Sequence, residues 1–246
     1  MRLIPSIDLR GGHCVRLRHG NFDAETRYAQ ETLQLLRQYR AWGAPWLHVV
    51  DLDGARDGLP ANQDTIARLA GEAGISLQVG GGVRTRDAVV ALLSLGAARV
   101  VIGSAAVESP DEVERWLQEF GAERIVLALD LKHDERGTPM LRTRGWRQDA
   151  ALSLWQAVDR YARAGLRHVL CTDIDRDGAL GGANVELYRI AVRRYPALQW
   201  QASGGIAGVD DLRALEAAGA AAAISGTALL EDRMSLEELQ PFLRAG

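Results

Sequence analysis

Along the 246-residue chain, short runs rich in Val, Ile and Leu alternate with longer stretches whose apolar residues return every three or four positions. The runs are LIPSI (3–7), LHVV (47–50), LQV (77–79), VVI (100–102), IVLAL (125–129), HVLC (168–171), WQAS (200–203) and AAIS (222–225). Each is brief and lacks polar alternation, as expected of a strand buried on both faces of a parallel sheet. The stretches between them, such as TLQLLRQYRAW, PDEVERWLQEFG and LSLWQAVDRYARAG, carry an apolar stripe at helical spacing. Several end in glycine, the usual residue just past a helix C-terminus. SPDEVE predicts a Ser109 cap with Pro110 at the first helical position.

Eight strand–helix units in a chain of about 250 residues predict an α/β fold of the (β/α)8 TIM-barrel type, one domain spanning 1–246. A doubly wound open sheet is the alternative, but neither PSIDLRGG nor GGGVR follows the dinucleotide pattern G-x-G-x-x-G.

The chain also repeats itself. Gly82 and Gly103 stand 21 apart, as do Gly205 and Gly226, and the second pair follows the first by 123 positions. Asp8 and Asp130, Asp51 and Asp173, and Gly43 and Gly165 are each separated by 122. This spacing divides the barrel into two repeated half-barrels, about 1–122 and 123–246.

Composition changes little in this picture. The formal charge of −3, with both signs interspersed, gives no sign of nucleic-acid or membrane-surface binding. No apolar run is long enough to span a membrane, and MRLIPSIDLRGG lacks a signal-peptide core, so a cytoplasmic protein is expected. Cys14 and Cys171 supply neither a disulfide framework nor a metal spacing.

In a barrel of this type the working residues follow the strands. Asp8 and Asp130 end the first and fifth, with no helix directly after either, so they are expected to face each other across the mouth rather than to cap helices. Gly80-Gly81-Gly82 and Ser203-Gly204-Gly205 follow the third and seventh strands, and Gly103-Ser104 and Gly226-Thr227 the fourth and eighth. One such glycine turn needs no ligand to explain it, since glycine supplies positive φ. Two matched sets predict two anion sites, because such turns aim backbone N–H groups outward. Arg16 and Arg84 are candidate anion partners. A doubly phosphorylated small molecule with carboxylates at its middle points to proton transfer. No Walker motif is present, and Asn184 stands where the DIDRDG run would need the glutamate of a calcium loop, so no metal is expected.

Trp146 sits in the Arg-rich segment RTRGWRQ, where it can stack on a flat ring or pack structurally. That segment, with Gly137 and Gly145, reads as a loop that is mobile until substrate arrives. His48 lies within a strand, as a core histidine or a site residue. His13 and His19 are expected in loops, and His133 and His168 in solvent. The remaining tryptophans are expected on helices.

Taken in order, IPSIDLRGGHCVRL, LHVVDLDGA, VGGGVR, VIGSAAV, LALDLK, LCTDIDRDGALGGAN and ASGGI resemble the phosphoribosylformimino-5-aminoimidazole carboxamide ribotide isomerases of histidine biosynthesis over essentially the whole chain. The resemblance implies a (β/α)8 barrel that converts a bisphosphorylated aminoaldose to the aminoketose by an Amadori rearrangement, without metal or organic cofactor. It implies Asp8 as the base at ribose C2 and Asp130 as the proton donor that opens the ring, with Asp177 as the alternative acid. Thr172 would support the site, Trp146 would stack on the imidazole, and the two glycine sets would grip the phosphates. His48 joins the substrate-binding candidates, and a monomer is expected. Asn21, Ala179 and Thr227 depart from the family's commoner Asp, Thr and Arg or Lys.

Three rivals remain. The sister cyclase of the pathway shares the repeat and the aspartates, but SIDL and TDIDRDGALGGAN favour the isomerase. A dual-substrate isomerase would also accept phosphoribosylanthranilate. A non-catalytic bisphosphate sensor would have no need of Asp8, Asp130 and Asp177.

Overall fold

The computed structural model describes residues 1–18, 21–72 and 74–243. In chain order the strands are β1 (Arg2–Arg10), β2 (His13–Arg18), β3 (Asn21–Arg27), β4 (Trp46–Asp51), β5 (Ser76–Gly80), β6 (Arg99–Ile102), β7 (Ile125–His133), β8 (Pro139–Thr143), β9 (Gln148–Ser153), β10 (His168–Asp173), β11 (Gln199–Ser203) and β12 (Ala222–Ser225). Eight of them pair in parallel in the order β1-β4-β5-β6-β7-β10-β11-β12, and β12 returns to β1, closing the barrel. Each predicted apolar run lies within one of these eight strands.

The helices are α1 (Thr32–Trp42), α2 (Leu52–Asp57), α3 (Gln63–Ala70), α4 (Arg86–Ser94), α5 (Ser104–Glu108), α6 (Pro110–Phe120), α7 (Leu154–Arg163), α8 (Val185–Arg194), α9 (Val209–Ala217), α10 (Thr227–Leu230) and α11 (Leu236–Leu243). Their apolar faces bury Leu36, Ile66, Val89, Val113, Val158, Leu187 and Leu212 against the outside of the sheet. Inside the barrel, Ile4, Val101, Val126, Leu170, Ala222 and Ile224 form a separate apolar plug below the mouth. No described helix is long and apolar enough to cross a membrane.

The repeat is visible in the coordinates. In the first half β1 is followed by the antiparallel strands β2 and β3; in the second, β7 is followed by β8 and β9. Asp51 ends β4 and accepts from Asn62 Nδ2 at 2.6 Å, while Asp173 ends β10 and accepts from Asn184 Nδ2 at 2.7 Å. The asparagines, like the aspartates, are 122 apart.

Several expectations need correction. The segments after the first and fifth strands are antiparallel hairpins, so His13 begins β2 rather than lying in a loop, while Gly145 and Trp146 do lie in the turn between β8 and β9. His168 is buried rather than solvated, its Nε2 lying 3.1 Å from Glu123 Oε2. Trp46 and Trp200 are on strands, not helices. Ser109 does stand at the N-cap of α6, but its side chain makes no cap hydrogen bond. His19, the side chain of Asn21 and residues 244–246 lie outside the described residues.

Candidate active site

The C-terminal ends of the eight parallel strands surround a cavity of about 270 Å³. Asp8 and Asp130 reach it from β1 and β7, Thr172 from β10, and Arg16 from β2. The glycine turns after β5 and β11 and the starts of α5 and α10 complete the rim, together with Trp146 and Asp177. Asp8, Arg16, His48, Gly81, Gly82, Arg84, Gly103, Ser104, Asp130, Trp146, Thr172, Asp177, Ser203, Gly204, Gly205, Gly226 and Thr227 all line this one space.

Asp8 and Asp130 do not end their strands, since β1 runs on to Arg10 and β7 to His133 to pair with the hairpins, and the two carboxylates have different surroundings. Burial raises the Asp8 pKa, and the nearby charge of Asp177 adds to the rise, but the Arg16 guanidinium opposes it. Arg16 Nη1 donates to Asp8 Oδ2 at 2.8 Å, and its Nη2 reaches Asp177 Oδ1 at 3.3 Å. Burial works against the Arg16 charge, yet these two carboxylates hold its pKa above the ordinary value. Burial also raises the Asp130 pKa, with Asp177 adding to the rise, but here only neutral donors, Trp146 and Thr172, oppose it. Trp146 Nε1 donates to Asp130 Oδ2 at 2.9 Å. Asp130 thus lacks a cation of its own, and Asp8 has one. Two carboxyl groups tuned by different neighbours are what acid–base chemistry requires.

The glycine turns are tight for a structural reason as well as a chemical one. A Cβ on Gly81 would lie 2.1 Å from the Asp51 carbonyl oxygen, and one on Gly204 2.7 Å from that of Asp173. Both glycines have positive φ, +104° and +91°. Each turn is therefore laid directly on the aspartate–asparagine clamp of the preceding strand. The short helices α5 and α10 begin at the cavity from Gly103 and Gly226, and the first N–H groups of a helix have no carbonyl partner within it. Arg16 also belongs to this corner, since a Cβ on Gly226 would come within 3.3 Å of its Nη1.

The other predicted residues have more complex surroundings than their roles required. Arg84 donates to the Ala55 carbonyl at 3.2 Å. Ser104 Oγ accepts from the Arg144 N–H at 2.8 Å, and Arg144 pairs with Glu108, which ties the turn of the β8–β9 hairpin to the start of α5. Thr227 Oγ1 is buried without a hydrogen-bond partner among the described residues. His48 Nδ1 lies 3.0 Å from Gln78 Nε2, and burial first, then Arg16, lowers the His48 pKa to about 4.

Residue-by-residue reading missed Gln78 and Gln201, which meet beneath the site at 2.8 Å. Their spacing of 123, the same as that of the glycine sets, was the available signal. It also missed Phe22, which lines the cavity and lies under the guanidinium groups of Arg10 and Arg147 at 5.5 and 5.7 Å.

Among known proteins, residues 2–235 match the family described as "Histidine biosynthesis protein". Two relatives, from Aliivibrio fischeri and Vibrio cholerae, are each 45% identical over 236 residues, covering 96% of this chain and 96% of the relative. Both are named 1-(5-phosphoribosyl)-5-((5-phosphoribosylamino)methylideneamino)imidazole-4-carboxamide isomerase.

Proposed function

This chain belongs to the histidine biosynthesis protein family, and from that premise we propose that its cavity carries out the isomerisation of a doubly phosphorylated ribosyl aminoaldose. The protein is an isomerase of histidine biosynthesis, converting phosphoribosylformimino-5-aminoimidazole carboxamide ribotide to its aminoketose by an Amadori rearrangement. The observation that carries the reading is the placement of two carboxylates, Asp8 on β1 and Asp130 on β7, with two matched glycine turns on one cavity.

Asp130 is the acid. Its raised pKa, with no cation alongside, favours a carboxyl group that keeps its proton until it protonates the ribose ring oxygen. As that C–O bond breaks, the nitrogen lone pair closes a C=N bond to C1. Asp8 is the base. Arg16 at 2.8 Å stabilises its ionised form, which takes the proton from C2 and leaves an enaminol. Loss of the O–H proton at C2 and gain of a proton at C1 then give the ketone, with no net change in atoms or charge.

Asp177 is the alternative acid, but it lies beyond β10 and shares Arg16 with Asp8, whereas Asp130 stands on a barrel strand with no ion-pair partner among the described residues. Thr172 donates to Asp130 and orients it. The turns at Gly81-Gly82 with Gly103-Ser104, and at Ser203-Gly204-Gly205 with Gly226-Thr227, hold the two phosphates, with Arg84 and Arg16 nearby. Trp146 covers the imidazole. The enzyme acts without metal or organic cofactor and works as a cytoplasmic monomer; Leu59 and Leu236 are the exposed large apolar side chains among the described residues, which favours the monomer.

The test is turnover of the purified protein with the aminoaldose bisphosphate, with phosphoribosylanthranilate assayed in parallel. Rearrangement of the first to the aminoketose is expected. Binding without turnover would leave a bisphosphate sensor instead.

A further inference from the structure

Beneath the carboxylates lies a buried polar chain that the acid–base scheme leaves unused. Gln78 on β5 and Gln201 on β11 occupy equivalent places in the two halves and join across the barrel, Gln78 Nε2 donating to Gln201 Oε1 at 2.8 Å. The same nitrogen lies 3.0 Å from His48 Nδ1. An amide nitrogen carries two hydrogens and accepts nothing, so both hydrogens are spent and Nδ1 must be the acceptor. A neutral imidazole that accepts at Nδ1 carries its proton on Nε2. His48 is held neutral by burial.

Reversing the Gln78 amide would put its NH2 group where Oε1 now lies, buried and without a partner. Two orphaned donors cost more than one underused acceptor, so the arrangement has a preferred direction. The repeat gives that direction a single outlet. The position 122 residues after His48 holds Leu170, so only one end of the glutamine pair meets an imidazole. His48 pairs in register with Ser6, two residues before Asp8 on β1, which places the ring one layer below the base. It lines the cavity, and its Nε2 has no protein partner among the described residues.

We propose that Gln78, braced by Gln201, is a positioning residue that fixes His48 as the Nε2–H tautomer, so that the cavity floor offers a hydrogen-bond donor to an oxygen of the substrate's sugar chain. The donor half of this statement rests on the isomerase reading; the tautomer half does not. The opposite tautomer would set a lone pair against that oxygen. A fixed neutral donor, by contrast, stabilises negative charge as it develops there without adding a second acid to the site.

The experiment is 15N NMR of the histidine rings in the full-length protein at neutral pH without substrate, alongside steady-state kinetics. In the wild type, His48 Nε2 should resonate as a protonated nitrogen and Nδ1 as an unprotonated one. In Gln78→Met and in Gln201→Met the two resonances should move toward each other as the tautomers mix. kcat/KM should fall by about tenfold or more in Gln78→Met and by less in Gln201→Met, with kcat moving more than KM. A wild-type proton on Nδ1, or spectra unchanged in both variants, would overturn the assignment. Mixed tautomers with kcat/KM unchanged would overturn the donor role. Should Gln78→Met not fold, the wild-type spectrum and Gln201→Met, which leaves the His48 contact in place, still decide. Absence of wild-type turnover would count against the isomerase reading, while the substrate-free spectrum would still judge the tautomer.

Discussion

Arg16 donates to Asp8 at 2.8 Å from a strand of the same half-barrel and reaches across to Asp177, which the second half supplies. A base in that position must be ionised, so activity should rise as pH climbs through the Asp8 pKa. Burial places that pKa above the ordinary carboxylate value, and Arg16 limits the rise. Arg16→Met removes the opposing charge, so the acid limb of the kcat/KM profile should move to higher pH by about one unit or more. Arg16→Lys, which keeps the charge, should shift it much less. A limb that stayed in place in Arg16→Met would detach Asp8 from the base role.

The acid is tested by comparing two substitutions. Asp130→Asn should lose kcat by about a hundredfold or more, together with the alkaline limb of the pH profile. Asp177→Asn should chiefly weaken binding, because Arg16 then loses one of the two carboxylates that hold it in place at the cavity. If Asp177→Asn alone abolished the alkaline limb, the two residues would exchange roles.

Trp146 offers both a ring and an N–H. Its hydrogen bond lowers the Asp130 pKa against the rise due to burial. Trp146→Phe keeps a ring and removes that donor, so the alkaline limb should move upward while substrate binding is largely retained. Trp146→Ala removes both and should reduce kcat/KM by about tenfold or more. An unchanged kcat/KM in Trp146→Ala would leave the tryptophan a purely packing role.

Gly81 has no room for a side chain, with the Asp51 carbonyl oxygen 2.1 Å from a modest Cβ and φ at +104°. Gly81→Ala should cost about 3 kcal/mol or more in denaturant unfolding. Gly11→Ala, at φ +54° with nothing within 4 Å, should cost about 1–2 kcal/mol. Equal losses at the two positions would show that the backbone conformation, not the contact with β4, sets the penalty.

Crystals soaked in sulfate should show one anion against Gly82, Gly103 and Ser104 and a second against Gly205, Gly226 and Thr227. Occupancy of one corner alone would contradict the doubly anchored substrate.

The barrel strands were legible because both faces of a parallel strand are buried, so runs such as IVLAL and HVLC stand out without knowledge of their neighbours. The strands after β1 and β7 were not. HCVRLR and PMLRT mix charge with apolar residues because they rise beyond the barrel, and only their partners reveal them as strands. The residues that line the cavity were legible through repetition, since Asp8 and Asp130, and the glycine sets, recur at nearly one interval. Which of them touch was not, because Arg16 meets Asp177 across 161 positions and Trp146 meets Asp130 through a hairpin turn. The burial of His168 was not legible, because it depends on the neighbouring strands β7 and β11, with which His168 pairs at Val126 and Gln199.

Phe22, beside the mouth, lies 5.7 Å from the Arg147 guanidinium of the opposite hairpin. A partly exposed contact of this kind is worth about 0.5–1 kcal/mol, little more than thermal energy, so it parts and re-forms continually. A link of this strength costs little to break and does not by itself hold the two hairpins together across the mouth.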